Sequence, residues 1–298
     1  MKIKLKPIAE QSIVITGASS GIGLATALAA SALGARLTLV ARSEMALTAI
    51  ADEIKAAGGQ AAWEVADVAD RAALQRAADR AIDRYGGIDT WVNNAGVAIY
   101  GRLEEVSDED NRRLFETNFW GVVYGSLVAM PYLRQRGGAL INLGSEVSDA
   151  VVPLQGMYST SKHAVKGFTD ALRVEVEVLD KAPVSITLIQ PTAVNTPYPE
   201  HARNYMGKEP KLPTLQIDPT QVAEAILEAA CNGGRDVKVG AMSVLNTALS
   251  KLAPSLGDRL AALQADRQQE DRPPERPEGT LYTPGESGRI HGHPPTTH

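Results

Sequence analysis

Tyr158 and Lys162 sit four residues apart in Tyr158-Ser159-Thr160-Ser161-Lys162, a spacing that on a helix places a phenol and an ammonium on one face. An unperturbed phenol titrates near ~10, and a neighbouring ammonium, with the positive ring of an oxidised nicotinamide nearby, favours the phenolate and draws its pKa toward the working range. Such a tyrosine can give or take the hydroxyl proton of an alcohol. Alone, the pair reads as readily as a solvated surface pair on a helix. Asn118, Ser145 and the glycine-rich turn from Thr16 to Gly23 change the reading, and together the set describes hydride transfer.

The turn itself reads Ile13-Val14-Ile15-Thr16-Gly17-Ala18-Ser19-Ser20-Gly21-Ile22-Gly23, a strand entering a glycine turn and then a helix. Glycines let the backbone approach a pyrophosphate, and the helix N-terminus offers unpaired N–H groups and a positive dipole end. A turn that uses glycine only to reverse the chain is the competing reading, and three glycines at this spacing after a first strand favour the nucleotide. The residues expected to line that site here are Gly17, Ser19, Ser20, Gly21, Ile22 and Gly23. At the end of the second strand a carboxylate would bind an adenosine ribose diol, but the sequence reads Val40-Ala41-Arg42-Ser43. Ala41 removes the acid and Arg42 supplies a guanidinium fork suited to a phosphate, so NADP(H) is expected in preference to NAD(H), which stays possible. Asp67, beside Val68 after the third strand, is placed to accept from an adenine amine; its plainer role is a helix N-cap, which Asp70 can supply instead.

These residues resemble those of the short-chain dehydrogenase/reductase family, in its single-domain branch. Thr16-Gly17-x-x-x-Gly21-Ile22-Gly23, Asn93-Asn94-Ala95-Gly96, Asn118, Ser145 and Tyr158-x-x-x-Lys162 match the family motifs in order and separation, over roughly residues 10 to 240. The resemblance implies Tyr158 as acid/base, Lys162 binding the nicotinamide ribose while depressing the tyrosine pKa, Ser145 holding the substrate oxygen and Asn118 holding a relay water. It also implies that Asn93 braces the sheet, that Asn94, Ala95 and Gly96 lie near the cofactor, and that Pro191, Val194 and Thr196 lie against the nicotinamide. Thr192 stands where the family usually has glycine, which restricts the backbone there, and Glu146 beside Ser145 is also less usual. His163, beside Lys162 on the helix, points elsewhere, and His201 falls in a polar loop, so neither is taken as a base.

Positioning such a set requires strands that end together. Short aliphatic runs at Ser12–Thr16, Arg36–Val40, Ala61–Val65, Thr90–Asn93, Ala139–Leu143, Val184–Gln190 and Asp236–Val239 alternate with helical segments Gly21–Leu33, Glu44–Ala57, Arg71–Tyr85, Asp108–Arg136, Tyr158–Leu179 and Thr220–Cys231. Runs that are apolar throughout suit strands covered on both faces. The alternation predicts an α/β fold: a Rossmann-type doubly wound parallel sheet with right-handed crossovers. Ser107 with Asp110 marks a helix start, and Gly137-Gly138 a stop.

With 298 residues, 44% hydrophobic and 22% charged, the chain can bury one large core, expected over residues 8–264. A net charge of -5 with both signs interspersed implies no nucleic-acid partner. The lone Cys231 excludes an internal disulfide framework, and no apolar run follows the basic start or is long enough to span a membrane, so a cytoplasmic protein is expected, with no metal site. Met242 to Leu263 suggests one or two added helices. Residues 265–298 are too polar and proline-rich to form a core and are expected to be flexible or docked on a partner.

The function expected is interconversion of a secondary alcohol and a carbonyl with NAD(P), against a mainly apolar surface at Val147, Val151, Val152, Leu154 and Met157 or as packing of that loop. The loop from Pro197 to Leu215, with Tyr198, Tyr205 and Met206, is expected to close over substrate. A non-catalytic dinucleotide sensor on the same fold is the alternative, opposed by the intact Tyr158 and Lys162. A dehydratase or epimerase of the extended branch is opposed by the turn spacing. A homodimer or homotetramer is expected by resemblance, through the helices at 108–136 and 158–179.

Overall fold

A computed structural model of the chain describes residues 3–212, 215–285 and 288–292. Seven strands form one parallel sheet: β1 (Ser12–Thr16), β2 (Arg36–Ala41), β3 (Gln60–Val65), β4 (Thr90–Asn93), β5 (Gly138–Leu143), β6 (Val184–Pro191) and β7 (Asp236–Val239), in the order β3-β2-β1-β4-β5-β6-β7. The expected strands are all present, within a residue of their predicted ends. Along β1, Ile13 and Ile15 pack into one core with α1 (Gly21–Ala32), α2 (Glu44–Ala56) and α7 (Pro219–Asn232), while Val14 faces the other with α3 (Arg71–Tyr85), α5 (Gly121–Arg136) and α6 (Gly156–Arg173). This two-sided burial is why the strands read as unbroken apolar runs. Chain order reverses at β1, between β2 and β4, and it is there, beyond the carboxyl ends of the strands, that an open α/β sheet binds ligands.

Local chemistry sets the helix ends. Ser43, Asp70, Ser107 and Asp218 each accept a backbone N–H at the start of a helix, and Gly86 closes α3 at φ 76 in the left-handed region. Ser107 opens α4 (Asp108–Phe115) as its sequence suggested. The single helices expected over 108–136 and 158–179 are each interrupted. A π-turn at Glu116–Trp120 separates α4 from α5, and another at Val174–Leu179 follows α6. Periodicity does not reveal one inserted residue, because the apolar face resumes after it. Two added helices follow the sheet, α8 (Ala241–Leu252) and α9 (Pro254–Ala262).

The tail departs from its compositional reading: the described tail residues are docked on the chain's own domain. Leu281 is wholly buried among Val97, Ile99 and Leu114. Gln268, also buried, donates to the Pro153 carbonyl at 2.7 Å and accepts from Gln155 at 2.8 Å. Thr280 N–H donates to the His201 carbonyl at 2.8 Å, and the Tyr282 hydroxyl to Asp110 at 2.8 Å. The described tail residues are held by polar groups, by Leu281 and by Ile290, which packs against the core beside α1, all supplied with partners elsewhere, which composition cannot register.

Candidate active site

The loops at the carboxyl ends of the strands surround one cleft. Its walls include the glycine turn, Arg42, Asp67 and Val68, Asn94 to Gly96, Ser145, Tyr158, Lys162, Pro191, Val194 and Thr196. Of the residues predicted to form the site, Gly23 and Asn118 stand behind these walls.

Gly17 has φ +66, and an added Cβ there would meet the Ala95 Cα at 2.8 Å. At Gly23 a Cβ would lie 2.2 Å from the Gly17 carbonyl oxygen and 2.5 Å from Asn94 Nδ2. The turn is therefore closed to any side chain at these points. Asn94 clamps it, donating to the Thr16 carbonyl at 2.9 Å and the Gly17 carbonyl at 3.2 Å, while Thr16 Oγ1 accepts the Asn94 and Ala95 N–H groups. A backbone cradle at a helix N-terminus, opening into the cleft that holds Tyr158, fits the pyrophosphate of a dinucleotide. Asn93 braces the sheet, accepting from Trp91 Nε1 at 2.8 Å and donating to Asn142 Oδ1 at 2.9 Å.

Tyr158 and Lys162 rise from α6 into the cleft. The Lys162 ammonium, 5% exposed, is 5.7 Å from the Tyr158 ring centre and donates to the Leu143 carbonyl at 2.8 Å. Burial lowers its pKa to about 8. The Tyr158 phenol lies above its ordinary value. Burial pushes it up, hydrogen bonding with Tyr198 and Ser145 pulls it partly back, and the Glu146 carboxylate adds to the rise. The Lys162 ammonium is itself desolvated and turned to a main-chain oxygen.

Asn118 lies in the first π-turn. Its Oδ1 accepts the Val97 N–H at 2.8 Å, and its Nδ2 donates to the Val97 carbonyl at 2.9 Å and to Ser161 Oγ at 3.2 Å. Both ends of the amide are thus committed to tying the segment after β4 to α6. Ser145 follows β5 and caps a short 3₁₀ turn, its Oγ accepting from Val147 N–H at 3.3 Å.

The two departures from the family pattern meet. Thr192 Oγ1 donates to Glu146 Oε2 at 3.1 Å, and Asn246 of α8 donates to the same oxygen at 3.0 Å. Burial pushes the Glu146 carboxyl up, and those two hydrogen bonds draw it back. Thr192 thus supplies the partner that a buried acid needs. Of the expected apolar surface, Val147 and Val152 line the cleft, whereas Val151 is exposed. From the loop after β6, Tyr198 lines it, stacking edge-on to Tyr158 with centroids 5.5 Å apart, as do His201, set aside at first, and Leu212. His163 is exposed and bonds the Ser159 carbonyl of its own helix.

On the adenosine side, Asp70 caps α3, and Asp67 is paired with Arg113 of α4. Arg113 was not singled out, since an arginine on a helix with Asp108, Glu109 and Arg112 around it reads as a surface charge. Among the described residues no helix is long and apolar enough to cross a membrane.

Comparison with known proteins agrees with this geometry. The short chain dehydrogenase family model matches residues 11–206. An uncharacterized oxidoreductase, YxnA, of Bacillus subtilis (strain 168) is 44% identical over 289 residues, 95% of this chain and 81% of that protein. Dehydrogenase/reductase SDR family member 7B of Bos taurus is 31% identical over 272 residues, covering 87% of this chain and 83% of that protein. Among solved structures, a short-chain dehydrogenase/reductase from Burkholderia phymatum in complex with NAD aligns with a TM-score of 0.74 at 28% identity, over 86% of this chain and 96% of that one. An alcohol dehydrogenase from Thermococcus sibiricus complexed with 5-hydroxy-NADP aligns with a TM-score of 0.67, also at 28% identity, over 77% and 94%. The chain belongs to the short-chain dehydrogenase/reductase family.

Proposed function

We propose that this protein is an NAD(P)-dependent oxidoreductase that interconverts a secondary alcohol and a ketone or aldehyde, with Tyr158 as the acid/base. The observation that carries this reading is the convergence of Tyr158, Ser145 and Lys162 in the cleft formed partly by the glycine turn. A bound nicotinamide dinucleotide would supply the acceptor or donor of hydride. The chain's own part is proton handling and placement. Tyr158 gives or takes the hydroxyl proton, and Ser145 hydrogen-bonds the same oxygen and fixes its distance from the phenol. Lys162, with a pKa of about 8, binds the ribose hydroxyls, and its charge assists the phenolate once that contact brings it to bear. Asn118 acts as a positioning residue, because its amide is already spent on Val97 and Ser161.

Gly17 through Ile22 take the pyrophosphate with Gly23 closing the turn behind them, Asp67 and Val68 the adenine side, and Pro191, Val194 and Thr196 the nicotinamide side. Arg42, with no carboxylate at Ala41, supports a preference for NADP(H). Exposed Trp120 and Leu127 on the α5 side and Val174 and Val178 after α6 support a homodimer or homotetramer. The test is a screen of secondary alcohols and carbonyls that follows nicotinamide absorbance with both cofactors. Turnover of at least one class supports the reading. Tight binding of either cofactor with no turnover across the screen would favour the sensor alternative.

A further inference from the structure

We propose that the C-terminal tail and the 2'-phosphate of NADP(H) compete for one cationic pocket, so that tail docking decides which dinucleotide the cleft takes. The inference rests on reading the cleft as a dinucleotide site. Arg42 follows β2, where an adenosine ribose is expected, and both of its terminal nitrogens are engaged by the tail. Nη2 donates to the Thr280 carbonyl at 2.5 Å and Nη1 to the Leu281 carbonyl at 3.2 Å. The Leu281 oxygen also accepts from Arg113 Nε at 3.2 Å. Two guanidinium groups therefore converge on a neutral oxygen, and the nearby carboxylates of Asp67 and Glu116 are both paired with Arg113, leaving the Arg42 fork to the tail carbonyls. An anion is the natural occupant of such a fork, and the tail carbonyls stand where it would sit. Burial lowers the Arg42 pKa, with Asp67 opposing and Arg113 adding to the fall.

The tail holds this position through an anchor separate from the guanidinium groups. Leu281 is wholly buried, and Thr280 N–H is bonded to the His201 carbonyl. Farther along, the Arg289 carbonyl accepts the Gly21 N–H at 2.9 Å and Gly288 N–H donates to the Ser19 carbonyl at 2.7 Å, contacts at the glycine turn that the pyrophosphate of either dinucleotide displaces, so that only the Thr280–Leu281 contacts tell the two cofactors apart. A 2'-hydroxyl makes no demand on the Arg42 fork, and NAD(H) binds with the Thr280–Leu281 contacts in place. A 2'-phosphate requires the same two nitrogens and displaces them. Coupling of this kind is reciprocal: whatever factor docking takes from NADP affinity, NADP takes from docking.

Hydrogen–deuterium exchange on the full-length protein, alone and saturated with NAD+ or with NADP+, tests this directly. Exchange at the Thr280 amide and its neighbours should rise by about tenfold or more with NADP+, the scale of one charged hydrogen bond, and stay unchanged with NAD+. Equal exchange with both cofactors, or slower exchange with NADP+, overturns the proposal. In a second measurement, full-length Leu281→Ala removes the anchor, and its NADP+ Kd should tighten about tenfold while its NAD+ Kd holds. An unchanged ratio of the two constants also overturns it, and if the variant does not fold, the exchange experiment on the wild type decides. If tryptophan fluorescence shows that neither cofactor binds the wild type, the dinucleotide reading itself fails, a result distinct from equal exchange with two bound cofactors.

Discussion

Replacing Lys162 by Met should alter how the stability of the protein responds to pH, and the buried ammonium sets the size of the effect. Its pKa is about 8 in the folded chain against an ordinary 10.5, so the unfolded state binds the proton more tightly. For a cation with a lowered folded pKa, the protonated group destabilises the fold below about pH 8, and that penalty is relieved as pH climbs toward about 10.5. Between about pH 7.5 and about pH 9.5, Lys162 should therefore add about 2 kcal/mol to the unfolding free energy of the wild type, a gain that Lys162→Met lacks. The variant also leaves the Leu143 carbonyl without its 2.8 Å donor, but that loss is independent of pH and cancels in the slope. Cys231, whose thiol burial pushes up, is common to both proteins and cancels likewise. Denaturant unfolding of both proteins without cofactor, at several pH values across this window, gives the difference. Parallel curves would mean that Lys162 keeps an ordinary pKa, and the burial argument would be wrong.

Further outcomes follow from the cleft and the surface. Gly23→Ala should abolish binding of either dinucleotide and lower Tm, since its Cβ would meet the Gly17 carbonyl oxygen at 2.2 Å; wild-type fluorescence titrations would show that the turn does not close on this position. Arg42→Ala should weaken NADP+ by about tenfold and leave NAD+ nearly unchanged, on the worth of a charged hydrogen bond; equal losses in paired titrations would remove Arg42 from the 2'-phosphate. Val178→Glu, at a position 62% exposed beside Val174, should lower the size-exclusion mass to that of a single chain if these residues form the subunit contact, and an unchanged mass would place that contact elsewhere.

Much of this was legible in the sequence, for a reason particular residues make plain. Ile13, Val14 and Ile15 are all buried because helices cover both faces of β1, and an unbroken apolar run is the direct imprint of that burial. The glycine turn was legible because no side chain fits between Gly23 and Gly17. Long-range pairings of groups with an ordinary local explanation were not. Arg113 reads as a helix-surface charge until Asp67, 46 positions away, is seen against it, and Glu146 reads as an oddity until Thr192 and Asn246 reach it. Asn118 was found by its motif, but its commitment to Val97 depends on a π-turn that leaves no periodic trace. The tail was misjudged because its partners belong to the domain and not to its own composition.

The central claim, that Tyr158 carries the proton in a dinucleotide-dependent redox reaction, is tested most directly by Tyr158→Phe. The measurement is kcat with an alcohol or carbonyl that the wild type turns over, set beside the cofactor Kd of both proteins. Removing the hydroxyl takes away the acid/base and leaves the ring against Tyr198, so kcat should fall by a factor on the order of a thousand while the cofactor Kd stays within about threefold. A kcat comparable to that of the wild type would contradict the account.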